Sequence, residues 1–317
     1  MSIYANDNIT VRNALADKTS KLTKAERRAL SAGNRARQEH CKLEDLVMFI
    51  STDGCPEHIV KTMADRSITL NFVLDDVMLK KYMHNKSGCE MLMSATIGDF
   101  NAYAKIAGLD KKSCKAFVMS STFDFSKSPI MFSSMNKMSY DEKDKSIVEI
   151  SKQATNICRA MQHERGIVQT GSYANTMTLI NSLPVDVSSR CLTYVDAKTK
   201  AQALADFISR NEDPDDNSIL VGPTLIEGLN FPDKMCRFQI CIKVPYACLG
   251  SEYVRKKMQA VDGWYEYDVL NKLCQSIGRG IRHKTDWCKT YILDGCITNL
   301  IRKLSKISVL QGRFVKM

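Results

Sequence analysis

Residues 140–173, YDEKDKSIVEISKQATNICRAMQHERGIVQTGSY, place a long amphipathic pattern directly before a short apolar run. Within residues 140–163, apolar side chains recur at helical spacing on one face, which is typical of a helix that packs against a core. The face consists of Ile147, Ile150, Ala154, Ile157 and Met161. Residues 167–169 have the composition of a short buried strand. This stretch therefore predicts a helix followed by a strand.

The same alternation of strands and helices continues on both sides of this stretch. Further helices are predicted at 173–182, 197–210 and 265–277. The predicted strands are Met91–Met93, Ala116–Met119, Ile167–Gln169, Cys191–Val195, Ile219–Val221, Arg237–Val244 and Tyr291–Leu293. Strands that alternate with helices of this length indicate parallel βαβ units. The predicted fold is α/β, an open parallel sheet flanked by helices, with ligands at the carboxyl ends of its strands.

The part of the chain before residue 87 has a different composition. Residues 1–86 contain only Gly33, Gly54 and Pro56 as strong helix breakers, and apolar residues again recur at helical spacing. We predict that a mostly helical N-terminal segment precedes the sheet.

The 317 residues carry a formal net charge of +10. Between residues 251 and 317, 13 lysines and arginines stand against 6 acidic residues, so +7 of that charge lies at this end. The excess is compatible with a polyanionic partner but is too mild to identify one. No apolar run approaches the roughly 18 residues that span a bilayer, and the N-terminus has no apolar signal-peptide core. We expect no membrane contact and a cytoplasmic, reducing location.

The twelve cysteines form no CxxC pair, and their spacings are unlike those of zinc or iron–sulfur ligands. His283, Cys288 and Cys296 are the one combination that invites a metal-site interpretation. Small core residues that pack like alanine or valine are the simpler explanation. The sequence therefore predicts free thiols and no metal site.

A phosphate loop is the first motif to look for in an α/β protein. The stretch Gly166–Gly171, followed by Ser172, has the glycine spacing of such a loop, but it lacks the lysine and its middle residues resemble a strand. Asp75 and Asp76 follow Leu74 as a Walker B pair does, yet they fit the solvated start of a helix better. Neither a Walker A nor a Walker B site is predicted.

Three other stretches carry more specific patterns. Met93–Thr96 ends a predicted strand with a hydroxyl, a small residue and a second hydroxyl. Ile219–Pro232 places a glycine turn, an acid and a second glycine after a strand. Gln275–Arg282 ends a helix with two arginines three residues apart, which share one face of a helical turn. Two fixed guanidinium groups on one face are suited to charge spread over phosphate oxygens.

In order and spacing, these stretches resemble motifs III, V and VI of superfamily 2 helicases of the DinG/XPD-like branch. Four further segments resemble parts of the same branch: Glu164–Tyr173 its motif IV, Ser120–Phe125 the opening of its second motor domain, Val244–Tyr246 the Leu-Pro-Phe after motif V, and Tyr291–Asp294 the strand and aspartate after motif VI. The resemblance runs from about residue 89 to 296.

The resemblance implies a RecA-like fold and a division of the chain. Residues 1–86 would be an arch-like helical segment, and residues 87–98 a strand with motif III that belongs to the first motor domain. Residues 99–317 would be the second RecA-like motor domain. The Walker A and Walker B motifs, and the four-cysteine iron–sulfur site of many members, have no counterpart in these residues.

The resemblance also implies roles for single residues, assigned here only to positions that match the family's motifs. Arg279 and Arg282 would be arginine fingers for the γ-phosphate of ATP, with Gln275 close by. The other implied roles are coupling of nucleotide state to domain movement (Ser94, Thr96), lining of the cleft between motor domains (Glu227, Gly228, Asn230) and contacts to the phosphates of a single strand (Ser172, Tyr173, Thr224). Asn230 departs from the family's aspartate, which weakens a hydrogen bond to ribose.

These roles define the expected partners. We expect ATP with Mg²⁺, bound mainly by the missing first motor domain, and no iron–sulfur cluster in this chain. Single-stranded nucleic acid is the second expected ligand, with DNA favoured over RNA by family analogy only. The Walker A and Walker B domain would lie on a separate chain or in a missing part, and this chain alone would hydrolyse ATP negligibly.

Two alternatives remain open. One is a helicase-derived module that binds nucleic acid or regulates without catalysis, although such a module has no use for paired γ-phosphate arginines. The other is a cysteine-rich metal protein, which metal analysis would test.

Overall fold

The computed structural model shows a parallel α/β sheet and a separate two-stranded hairpin. It describes residues 33, 58–62, 68–74, 79, 84, 88–94, 96–119, 124–194, 196–223, 231–278, 280–281, 283–304, 310 and 312–317. The sites discussed below all lie within residues 88–317.

The hairpin consists of β1 (His58–Thr62) and β2 (Ile68–Phe72), which pair antiparallel with Val60 opposite Leu70. Here the structure differs from the expectation that residues 1–86 form a mostly helical segment. Both strands are rich in isoleucine, valine and threonine, whose branched side chains favour strands over helices. Most of residues 1–86 lie outside the described part of the chain.

The sheet has seven strands in the order β5-β6-β4-β7-β8-β3-β9, and every neighbouring pair is parallel. Its strands are β3 (Ile130–Phe132), β4 (Gly166–Gln169), β5 (Cys191–Thr193), β6 (Ile219–Gly222), β7 (Phe238–Cys241), β8 (Lys289–Ile292) and β9 (Phe314–Lys316). This arrangement confirms the predicted open parallel sheet.

Helices connect the strands. They are α1 (Phe100–Ile106), α2 (Lys143–Ala160), α3 (Tyr173–Ser182), α4 (Val185–Ser188), α5 (Ala197–Ser209), α6 (Glu252–Ala260), α7 (Trp264–Ile277) and α8 (Ile301–Leu304). Each connection between strands of one parallel sheet must cross over to the same edge, and helices supply most of these crossovers. None of the helices in the described residues has the length and apolarity that a membrane crossing requires.

The core lies on both faces of the central strands. Ile167, Leu220 and Ile240, in β4, β6 and β7, are fully buried. Strands covered on both faces are apolar throughout instead of alternating, which explains why these segments are continuous apolar runs in the sequence. The apolar face of α2, including Ile150 and Ala154, packs into the same core. The predicted amphipathic helix and the strand that follows it are thus confirmed.

Two predicted strands differ from the structure. Residues 91–94 and 114–119 form no strand and pair with none of the strands in the described residues. Their apolar side chains are strongly exposed, with Met91 and Met93 at 80% and 83%, and Phe117 and Met119 at 86% and 85%. A strand requires a hydrogen-bonded neighbour, and the described sheet offers none to these two segments.

Candidate functional site

The carboxyl edge of the sheet brings together the ends of β4, β6 and β7. The Thr170 and Gly171 N–H groups donate to the carbonyl oxygens of Gly222 and Pro223, both at 2.9 Å, and the Ile242 N–H donates to that of Gln169 at 3.0 Å. These bonds fix the turn after β4 directly beside the point where residues 224–230 begin. The motif IV turn and the start of the motif V segment are therefore neighbours.

Ser172 caps helix α3. Its hydroxyl oxygen accepts a hydrogen bond from the Asn175 N–H at 3.2 Å, and Gly171 before it has a φ of 77°, which favours glycine. Beneath the turn, the Thr170 and Thr176 hydroxyls lie 2.6 Å apart. A serine hydroxyl that accepts one bond still has its own O–H to donate. The cap thus holds Ser172 in place and leaves a donor for a ligand.

A cavity of about 280 Å³ opens at this turn. It is lined by Gly171, Ser172, Tyr173, Tyr194, Lys200 and Pro223. The rings of Tyr173 and Tyr194 meet edge to face with centroids 6.4 Å apart, and the Lys200 Nζ lies 6.0 Å from the centre of the Tyr194 ring. Ser172 and Tyr173, which the sequence predicts as strand contacts, both line this cavity, and their role stays a prediction. Sequence reasoning missed Tyr194 and Lys200, because only the sheet order places β5 next to β6.

Gln275 lies exposed in the last turn of α7. Its neighbour Ser276 is buried and donates through its hydroxyl to the Gln169 Oε1 at 2.8 Å, while the Gln239 Nε2 donates to the Ile277 carbonyl oxygen at 2.7 Å. Two buried side-chain amides therefore hold the end of the motif VI helix against β4 and β7. Beyond the helix, a Cβ at Gly280 would lie 2.3 Å from the Cys288 Sγ, so this close approach requires glycine.

Ser94 and Thr96 form a local turn, in which the Thr96 N–H donates to the Ser94 Oγ at 3.2 Å. Gly98, with a φ of 69°, follows, and a Cβ there would lie 2.9 Å from the Asn271 Oδ1 on α7. Asn271 is four residues before Gln275, so the two share one helix face. The structure thus brings the motif III segment to within one helical turn of Gln275.

Six predicted site residues lie outside the described part of the chain: Arg279, Arg282, Thr224, Glu227, Gly228 and Asn230. Their roles stay predictions. The described residues that follow these segments, Asp233 and His283, lie close together. The His283 Nε2 and the Asp233 Oδ1 are 2.7 Å apart, and the Asp233 N–H donates to the Asp286 Oδ2 at 3.3 Å. We call these contacts the Asp233–His283 clamp.

The clamp also holds the one group of potential metal ligands in the described residues, since the ligand atoms of Asp233, His283 and Asp286 lie within 4.8 Å of one another. Protein groups already engage them. Arg237 donates to the Asp286 Oδ1 at 2.7 Å, and the His283 Nδ1 lies 2.9 Å from the Thr285 Oγ1. The geometry is that of a link between two chain segments, and nothing in the sequence motifs pointed to it.

Asp294, the aspartate at the end of the segment after motif VI, has a structural role. It is buried, and its two carboxylate oxygens accept hydrogen bonds from the backbone N–H groups of Met138, Val244 and Cys296, at 2.9–3.0 Å. One carboxylate thereby joins the turn after β8 to the segment after β7 and to the start of the chain that leads into α2. This residue therefore organises the sheet edge.

The thiols of the core behave as packing groups. Burial raises the pKa of Cys158 to about 11 and the pKa values of Cys241 and Cys274 to about 12, so all three are neutral at pH 7. Cys288, which the sequence paired with His283 as a metal alternative, is buried as well. The described part of the chain shows free cysteines.

Part of the chain is similar to a known protein family and to curated helicases. Residues 154–307 match the family model described as "Helicase C-terminal domain". Among curated proteins, the ATP-dependent DNA helicase chl-1 of Caenorhabditis elegans is 28% identical over 119 residues, which cover 34% of this chain and 14% of the relative. The ATP-dependent DNA helicase CHL1 of Kluyveromyces lactis is 30% identical over 98 residues, which cover 25% of this chain and 12% of the relative. The chain thus spans a small fraction of these relatives.

Two solved structures share the fold. The structure named "XPD_APO" superposes with a TM-score of 0.61 at 17% identity and covers 94% of this chain and 63% of its own. The structure named "XPD_Helicase" gives 0.59 at 16% identity, with 94% and 56% covered. At these identities the likeness to the two structures shows the fold. The evidence for a family comes from the family model and the helicase relatives. Residues 154–307, a little under half of the chain, match the helicase C-terminal domain family, and the fold of the chain is similar to that of the two XPD structures.

Proposed function

We propose that this chain supplies the second motor domain of an ATP-dependent DNA helicase. The observation that carries the proposal is the docking of the motif VI helix beside the motif IV turn at one sheet edge, through the Ser276–Gln169 hydrogen bond of 2.8 Å. The domain match over residues 154–307 covers both elements. One edge of the sheet thereby holds two candidate sites: a nucleotide side at the end of the motif VI helix, and a side for single-stranded nucleic acid, the strand side, at the motif IV turn.

On the nucleotide side, Arg279 and Arg282 would stabilise charge on the γ-phosphate as it is transferred, and Gln275 would lie beside them. Glu227, Gly228 and Asn230 would line the cleft between the motor domains. Two contacts support this assignment, because they hold the residues next to the two arginines in place. Gly280, which follows Arg279, packs on Cys288, and His283, which follows Arg282, belongs to the Asp233–His283 clamp. Mg²⁺ would be held mainly by the other motor domain and would neutralise phosphate charge there.

The phosphate loop and the Walker B acid would come from outside these 317 residues, on another chain or on another part of the same protein. The exposure of Met91–Met93 and Phe117–Met119 supports this step. Both segments have the composition of buried strands, and α1 lies between them, as in a βαβ unit. We propose that both segments pair with the sheet of the first motor domain, which would cover their apolar side chains and would move the start of the second motor domain from residue 99 to beyond residue 119.

On the strand side, Ser172, Tyr173 and Thr224 would contact the backbone of a single strand. Hydroxyl groups and aromatic rings bind single strands without reading their sequence. The exposed ring of Tyr173 and the free O–H of Ser172 support this assignment. DNA is proposed as the strand because the relatives are named DNA helicases.

The first test measures ATP hydrolysis by the purified chain with single-stranded DNA. We expect negligible turnover alone, and DNA-stimulated turnover once a Walker A and Walker B domain of the same family is added. In that complex, Arg279→Ala or Arg282→Ala should lower kcat by about 10³ or more. Arg302→Ala removes an exposed arginine outside the motif and should leave kcat unchanged.

Two outcomes would contradict the proposal. Turnover by the chain alone at about 10 s⁻¹, an ordinary enzyme rate, would exclude a motor completed from outside. Equal effects of the Arg302 and motif VI substitutions would exclude arginine fingers and would favour the alternative of a binding module without catalysis.

A further inference from the structure

One lysine lines the cavity at the motif IV turn, and the side chain of a second packs beside Gly171 in its wall. Lys200, from α5, forms part of its wall. Lys243 follows β7, and its side chain lies against Gly171, where a Cβ would meet the Lys243 Cβ, Cδ and Cγ at 3.1–3.4 Å. Lys200 lies on the helix after β5, and Lys243 lies in the connection after β7. The two side chains therefore come to one turn only because the sheet is folded.

Neither lysine is neutralised by a carboxylate among the described residues. The nearest acid along α5 is its N-cap Asp196, whose carboxylate accepts from the Thr199 N–H at 2.7 Å and from the Thr199 hydroxyl at 2.8 Å. No ion pair in the described part of the chain includes Lys200 or Lys243. Among the described residues, the lysines at the cavity therefore have no paired carboxylate, which favours an anionic ligand.

The aromatic side of the cavity is built into the fold. Tyr194 is buried, and a Cβ at Gly222 would approach its ring to 2.1 Å, so glycine at the end of β6 leaves the room that the ring occupies. The ring in turn supports Tyr173, whose own ring is 41% exposed, and lies beneath the Lys200 ammonium. Tyr194 is a positioning residue for both.

We propose that this cavity binds one backbone phosphate of a single-stranded nucleic acid, with Lys200 as its cation, Lys243 as a second positive flank, and the adjoining base stacked on Tyr173. The inference rests on the proposed function and adds residues that no motif contains. A cavity of about 280 Å³ has room for a phosphate with part of its nucleotide, since a water takes up about 30 Å³ of liquid. A cation beside an exposed ring is the usual combination for single strands.

The test uses the full chain and fluorescence anisotropy with labelled oligothymidylate and oligouridylate over a salt series. The two oligonucleotides separate DNA from RNA as the source of the phosphate. Lys200→Ala should reduce the slope of log K against log salt by about 0.7, the value for one lost phosphate contact on a single strand. That slope corresponds to an affinity loss of about eightfold near 50 mM salt and about threefold near 200 mM.

Lys198→Ala is the matched control. It removes the same charge from the same helix two residues earlier, on a different helix face, and Lys198 is exposed. We expect little change in slope for Lys198→Ala and near wild-type slope for Lys200→Arg. Tyr173→Ala should weaken binding at least about fivefold through loss of stacking, whereas Tyr173→Phe keeps the ring and the affinity.

Equal losses for the Lys198 and Lys200 variants would overturn the inference, because only overall charge would then matter. Wild-type binding that Lys200→Ala leaves unchanged would overturn it as well, while the strand contact of the proposed function would stand. Absence of binding by the wild-type chain at about 50 mM salt would overturn both.

Discussion

Two kinds of apolar segment in this chain share a composition and differ in burial. Phe238 and its neighbours in β7 are buried at the centre of the sheet, whereas Phe117 and its neighbours at 117–119 lie almost entirely exposed. The two segments differ in whether neighbouring strands pair with them. Residues 238–241 have β4 and β8 on either side, and residues 117–119 pair with no strand in the described residues. Apolar composition marks a segment that must be covered, and it does not say which chain covers it.

The largest expected effect separates the two segments by the same substitution. Phe238→Ala leaves a cavity in the core and should lower the free energy of unfolding by about 3–5 kcal/mol. Phe117→Ala should change it by less than about 0.5 kcal/mol, because the removed ring is already in water. Urea unfolding followed by circular dichroism measures both. A similar loss for both variants would show that residues 117–119 are covered within this chain.

A smaller effect is expected where glycine permits close packing. Gly280→Ala would place a methyl group against Cys288 and should cost about 1–3 kcal/mol. The control is Gly88→Ala in the exposed segment, where no atom lies within 4 Å of the added Cβ, and where we expect a change below about 1 kcal/mol. Adding Cys288→Ala to Gly280→Ala should recover part of the stability, and failure to recover any would contradict the proposed contact.

The smallest effect depends on pH. Burial, with a smaller effect of Asp294, raises the pKa of Cys241 to about 12, from an ordinary value of 9.0. Between these two values the unfolded thiol is ionised and the folded one is not, so stability falls as pH rises above about 9, by up to about 1.4 kcal/mol per pH unit.

The measurement compares unfolding at pH 8 and pH 10. In Cys241→Ala the loss over this interval should be smaller than in the wild type by about 1 kcal/mol. Identical losses in both proteins would exclude Cys241 as a source of alkaline instability.

The sequence predicted the centre of the sheet because β4, β6 and β7 are buried on both faces and are therefore continuous apolar runs. It missed β3 and β9, which have three residues each and pair across a separation of more than 180 residues. Strands this short carry no usable periodicity. Their existence depends on distant pairing, which local pattern cannot report.

In the candidate site, too, local sequence patterns do not report contacts between distant residues. Ser172 and Tyr173 are adjacent, so their turn and cap were visible in the sequence. Tyr194 and Lys200 reach the same cavity only because β5 lies beside β6, and the Asp233–His283 clamp joins residues 50 positions apart. Contacts of this kind follow from topology, and they supplied the groups that the motifs did not contain.

The docking of α7 has a mechanical consequence. Ser276 ties the end of the helix to β4, and Gln239 joins the Ile277 carbonyl oxygen to the Thr290 hydroxyl on β8, at 2.7 and 2.8 Å. To slide or rotate, the helix end must break buried hydrogen bonds to two strands, β4 and β7, at once. We therefore expect the end of α7 and the sheet to move together, so that a displacement at Gly98, which packs against Asn271, would be passed on to the turn after β4.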